Sequence, residues 1–153
     1  MKPFRFNLEK VLKVRQVESM KAKQALALAQ LKSGQAWVTM ENCRKQRAAF
    51  EAEWETRRKV RMTAAEWNQA SERLAALVQV EKDAVEALHQ ALAVVAEKRA
   101  ELEEAERKEK ALTKLREQQY EAHEYAEQVE EQIITDEIAQ TVRRSSQQHK
   151  GVG

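Results

Sequence analysis

Apolar side chains recur at alternating steps of three and four along most of the chain, the spacing that places them on one face of an α-helix in a coiled coil. The first row runs Leu8, Leu12, Arg15, Ser19, Ala22, Leu26, Ala29, Ser33, Ala36, Met40, Cys43, Arg47, Phe50, Trp54, Arg57. The second runs Trp67, Ala70, Leu74, Leu77, Glu81, Ala84, Leu88, Ala91, Val95, Lys98, Leu102, Ala105, Glu109, Leu112. Between them, Thr63-Ala64-Ala65-Glu66 reads as a capping box, with Met62 and Trp67 at the staple positions. Asn7 reads as the first N-cap, with Phe6 placed to pack on Val11. The pattern predicts helices over 7–60 and 63–142 joined by a turn at 61–62. At 1.5 Å per residue these helices are roughly 80 and 120 Å long. Gly34 is the one weak point inside the first helix, and a break after Ser33 is the alternative there. Residues 143–153 (RRSSQQHKGVG) read as a disordered tail.

Folding the chain at 61–62 pairs residues whose numbers sum to about 124, and the two rows then coincide as one seam. Large faces small at Trp54/Ala70, Met40/Ala84, Ala36/Leu88, Ala29/Val95 and Ala22/Leu102, which suits interdigitation. Arg15 is expected to meet Glu109, and Arg57 to lie on Trp67 as a cation–π pair. Leu26/Lys98 and Arg47/Leu77 are mismatches, tolerable if the long polar stems cover the seam and their heads reach water. The expected fold is all-α: an antiparallel coiled-coil hairpin over 1–142, rod-shaped, with a helical overhang. Its expected seam includes Leu12, Leu26, Met40, Phe50, Trp54, Trp67, Leu74, Leu77, Leu88, Val95, Leu102 and Leu112, capped by Thr63 and Glu66.

The overhang follows from unequal helix lengths. The first helix is used up near Leu8, opposite about Arg116, with Phe4 and Phe6 reaching towards Gln118 and Tyr120. Beyond that point Glu117–Val142 carries eight acids and no Lys or Arg. The spacing slips by one residue at Leu112/Leu115, then Ala122, Ala126, Val129 and Ile133 continue the stripe, with Ile134, Ile138 and Val142 at steps of four. An amphipathic helix with no cover implies a partner, or disorder when alone.

Composition sharpens this picture. Ala, Glu, Lys, Arg and Leu supply 86 of 153 residues, above the roughly one-half level typical of coiled coils and long helices. Three Gly and one Pro leave little punctuation for hairpins or glycine-rich nucleotide loops, and neither GxxxxGK[ST] nor GxGxxG occurs. The longest uncharged stretch, Ala87–Ala96, is far short of the roughly 20 residues of a membrane span, and no signal-peptide pattern follows Met1. One cysteine, Cys43, rules out an internal disulfide and fits a reducing cytosol. Residues 1–62 hold 15 Lys/Arg against 6 Glu, whereas 63–153 hold 12 against 19 Asp/Glu. The basic half therefore has its own acidic partner, which argues against nucleic-acid binding. His123 and Glu127 share an i,i+4 face, but two ligands on an open helix make a weak metal site. No cofactor, metal, catalytic group or small-molecule substrate is expected.

The stretch Phe4-x-Phe6-x-Leu8-Glu9-x-Val11-Leu12-x-Val14-Arg15 resembles the opening of the flagellar export protein FliJ family. Leu26-Ala27, the Thr63–Trp67 start, Lys110-Ala111-Leu112-x-Lys114-Leu115-x-Glu117, Tyr120, Glu131-Gln132 and Asp136-Glu137-Ile138-Ala139 extend the likeness over about 4–139. The resemblance implies a non-enzymatic shaft and adaptor similar to the central stalk of rotary ATPases. Implied partners are the hexameric flagellar export ATPase, the transmembrane export gate and the export chaperones. It also implies a location at the cytoplasmic face of the cell membrane. On that reading, Phe4, Phe6, Leu8, Leu115, Tyr120, Val129, Ile133 and Ile138 form the ATPase-binding end. The alternatives are a stalk protein of a related virulence secretion system, or a generic dimerising scaffold.

Overall fold

The computed structural model describes residues 2–151. Helix α1 spans Glu9–Arg58 and helix α2 spans Ala64–Lys150, and the two pack against each other as a helical hairpin. Among the described residues there is no strand. Both helices are made of strong helix formers without an interior proline, so the backbone hydrogen bonds run uninterrupted.

Helix ends depart from the spacing in three places. Helix α1 begins at Glu9 rather than 7, because Phe6 is buried and its carbonyl takes the Glu9 N–H at 3.1 Å. Leu8 then accepts the first helical bond, from Leu12 N–H at 2.8 Å, and Asn7 sits in the turn before it. At the other end α1 stops at Arg58, with Val60 N–H donating to Arg57 O at 3.1 Å. Two basic residues, Arg57 and Arg58, close its last turn, where the helix dipole favours positive charge. The connection therefore runs from Lys59 to Thr63, longer than the expected 61–62. Thr63 caps α2: its Oγ1 accepts Glu66 N–H at 3.2 Å and its carbonyl accepts Trp67 N–H at 3.0 Å.

The largest difference is at the C-terminus. Helix α2 continues past Val142 to Lys150, where a disordered tail was expected. No breaker intervenes before Gly151, Ser145 and Ser146 turn their hydroxyls back onto the Val142 and Arg143 carbonyls at 3.0 Å, and His149 and Lys150 suit the terminal dipole. Val152 and Gly153, at the end of that expected tail, lie outside the described residues.

Gly34 does not break α1, and an added Cβ there would meet nothing within 4 Å. Its φ is not positive, so an alanine fits without strain. Gly34→Ala should therefore raise stability by about 0.5–1 kcal/mol, read as a higher melting temperature by circular dichroism. A loss of stability would show that the glycine is needed for a close approach.

Two compact units make up the chain: Met1–Gln16 with Arg107–Gly153, and Val17–Glu106. In the first, Phe6 and Leu12 are buried, and Leu112 and Leu115 half-buried. Phe4 meets Tyr120 edge-on at 5.2 Å, and Arg116 Nε donates to Glu9 at 3.0 Å. In the second, Ala29, Met40 and Ala84 are buried, flanked by the half-buried Leu26, Leu74, Leu77, Leu88, Val95 and Leu102. Ser19 is also buried there, and its hydroxyl has no hydrogen-bond partner among the described residues.

Polar side chains settle the seam differently from the pairing expected of them. Arg57 does not lie on Trp67. It pairs with Glu53 at 2.9 Å, while Trp67 packs on Trp54 with ring centroids 4.9 Å apart. Two indoles bury more apolar surface against each other than a guanidinium that an i,i+4 carboxylate already holds. The cation–π contact belongs to Arg73 over Phe50, at 5.6 Å. Arg47 reaches past Leu77 to Glu81, with Nη1 also on Glu51 at 2.9 Å. Lys98 sends its amine to Glu101 at 3.3 Å, so its stem lies along the seam and its head at the surface.

The Arg47–Glu81 pair makes the hairpin acid-sensitive. Hydrogen bonding from Arg47 holds the Glu81 carboxyl below its ordinary value of 4.5, aided by the charges of Arg47 and Arg44 and opposed by burial. A folded value below the unfolded one adds stability that is present above pH 4.5 and is lost as pH falls through the folded value. Glu81→Gln should lower the melting temperature at neutral pH. The two melting curves should converge only as the pH falls below 4.5 and through the lowered folded value, once both side chains are neutral. A constant gap down to that pH would mean the charge of Glu81 is not what stabilises.

Candidate docking surface

From Gln128 to Lys150 every residue of α2 is exposed. Among the described residues, the N-terminal segment contacts α2 through Phe4, whose ring meets Tyr120 at 5.2 Å and His123 at 5.6 Å. Nothing among the described residues lies against the helix further on. The result is a bare amphipathic helix within the unit that holds the chain termini.

Its apolar side chains form two rows. Tyr125, Val129 and Ile133 are spaced by four on one side, with exposures of 70, 38 and 52%. Ile134, Ile138 and Val142 form the second, at 49, 60 and 60%. A step of four advances about 40° around a helix, so each row winds slowly and the two lie on different sides. Single exposed apolar residues are ordinary on protein surfaces, but two rows of three within eighteen positions form a candidate docking surface. Glu130 and Glu137 lie between the rows on one side, and Asp136 and Glu131 lie within the first and second row faces.

At the root of this segment the polar groups are tied to one another. His123 Nε2 lies 3.3 Å from Glu127. Tyr120 donates to Glu124, which pushes its phenol above the usual range. These contacts are all i,i+4 along one helix and steady its first turns rather than offering a reaction centre. Among the described residues no three His, Cys, Asp or Glu converge as metal ligands do.

The residues expected to bind a partner divide accordingly. Val129, Ile133, Ile138, Tyr120 and Leu8 are all exposed, at 38, 52, 60, 46 and 38%. Phe6 is buried, and Leu115 and Phe4 are half-buried, so these three serve the pairing of the helices rather than a free face. Phe4 packs on Tyr120 and His123 of α2, which takes its ring out of any free face. Tyr125 joins the open row although the 3-4 spacing skips it. Its step of four to Val129 and Ile133 was the available signal.

Two long paired helices with an uncovered acidic end place the chain among helical-hairpin proteins. The model of the flagellar FliJ protein family matches residues 4–148, nearly the whole chain. The chain belongs to that family, and so to the components of the flagellar export apparatus, which in this family are non-catalytic. No curated protein and no solved structure matches it. Among the described residues no helix is long and apolar enough to cross a membrane.

Proposed function

We propose that this protein is a shaft and adaptor that couples the hexameric export ATPase to the transmembrane export gate and assists delivery of cargo by export chaperones. It works peripherally, at the cytoplasmic face of the membrane. The observation that carries the reading is the bare end of α2: two apolar rows among acids, exposed throughout from Gln128. A single helix without neighbours is what a ring of subunits can close around. The acids would speed approach to a basic inner surface, and the apolar rows would hold the helix once seated.

The hairpin suits the role mechanically. Helix α2 runs without a break from Ala64 to Lys150. No chemistry is required of the protein itself, and its contribution would be positional. Capture of the purified export ATPase by immobilised full-length protein tests the reading. Retention that is lost when soluble export ATPase competes supports it, and no retention at low salt would overturn it.

A further inference from the structure

The connection between the helices carries features that neither the pairing nor the bare helix uses. From Thr56 to Ala65 there are four cations, Arg57, Arg58, Lys59 and Arg61, and no acid. Arg57 and Arg58 hold exposed pairs to Glu53 and Glu55 at 2.9 and 3.1 Å, while Lys59 and Arg61 have no ion-pair partner among the described residues. Exposed pairs of this kind are weak, so all four charges can turn to an outside anion. Apolar residues alternate with them: Val60 is 71% exposed, and Met62 is half-buried. Just behind, Trp67 is 45% exposed against Trp54. An open groove of about 600 Å³ lies beside them, lined also by Phe50 and Arg73.

Cations interleaved with apolar residues on an exposed turn, backed by a half-exposed indole, are the elements of an interfacial membrane contact. We propose that the turn Arg57–Met62 is a binding site for an anionic bilayer. Val60 and Met62 enter the headgroup boundary, the four cations meet lipid phosphates, and Trp67 rests at the interface. An acidic peptide is the competing occupant, and the groove argues against it. Glu53 and Glu66 line it beside Arg57, Arg61 and Arg73, which leaves the groove little net charge to hold an acidic peptide, whereas a bilayer need touch only the turn, whose residues 57–62 hold four cations and no acid. The site gives the peripheral membrane location proposed above a physical basis and rests on that reading. It does not involve residues 128–142, so vesicle binding and ATPase binding fail independently.

The test is co-sedimentation of the full chain with vesicles of phosphatidylcholine alone, or of phosphatidylcholine mixed with phosphatidylglycerol. Binding should appear only with the anionic mixture and weaken as salt rises. Each basic residue near such a surface changes partitioning about fivefold, so Lys59→Glu with Arg61→Glu should reduce it at least about 25-fold. Val60→Asp should weaken it with the charge of the cations intact. Lys108→Glu with Lys110→Glu makes the same change of net charge elsewhere on α2 and should leave most binding in place. No binding to anionic vesicles, or equal loss in the two charge-reversed variants, would overturn the proposal. So would capture of an acidic amphipathic peptide, tested in place of vesicles, by a chain that binds no vesicle.

Discussion

Replacing Val129 and Ile133 together with aspartate should abolish docking to the export ATPase while leaving the hairpin folded. Both side chains stand free, at 38 and 52% exposure, so the folded chain loses no internal packing. The helix itself loses only the lower propensity of aspartate, together about 1 kcal/mol in a segment that the core does not depend on. In a complex the balance is different. Each residue would forfeit about 1.5–3 kcal/mol of apolar burial and would bring a charge into a dry contact. The double variant should therefore bind the ATPase more than about a hundredfold more weakly. The loss should persist at high salt, since packing is screened far less than surface charge. Titration calorimetry at low and high salt reads both, and motility of cells carrying the variant should fall with it. A loss confined to low salt would mean that the acids, and not the apolar row, make the contact.

The second large effect is in the seam. Leu12 and Met40 are 4 and 6% exposed, among the most buried side chains in the protein, and each lies in a different compact unit. Truncating either to alanine should cost roughly 2–5 kcal/mol, with the lower half of that range expected where two helices alone form the walls. Leu28→Ala, on the same helix but at 53% exposure, should change stability by no more than about 0.5 kcal/mol. Urea unfolding followed by circular dichroism separates these cases. Equal losses at Met40 and Leu28 would put the seam on the wrong face of α1.

How far such a fold can be read in advance depends on the kind of feature. The hairpin was legible because steps of three and four place a residue around a helix wherever the helix begins. Along the two rows only Leu8, Arg57 and Trp67 are exposed. The Thr63 cap was legible because its chemistry is local. Periodicity does not encode the reach of a long side chain, which is why Arg47 was set against Leu77 but lies on Glu81. Nor does it say which of two neighbours an indole prefers, as Trp67 shows in choosing Trp54 over Arg57. Helix ends depend on tertiary packing: burial of Phe6 moved the start of α1, and polarity alone did not end α2 at Val142. Exposure at this end of the hairpin was half visible. Exposure of Val129 and Ile133 followed from counting lengths, whereas the burial of Phe6 and Leu115 required knowing what they cover.

Removing everything after Glu127 isolates the docking helix from the fold. The cut keeps Tyr120 and His123, the two rings that Phe4 packs against, together with the Glu127 partner of His123. Among the described residues it removes only exposed ones. The measurement is the affinity of this shortened chain for the hexameric export ATPase, taken beside its melting temperature. Affinity should fall by at least the factor seen for Val129→Asp with Ile133→Asp, and melting should be nearly unchanged. A shortened chain that binds the ATPase as tightly as the full one would contradict the account and move the docking site off the bare end of α2.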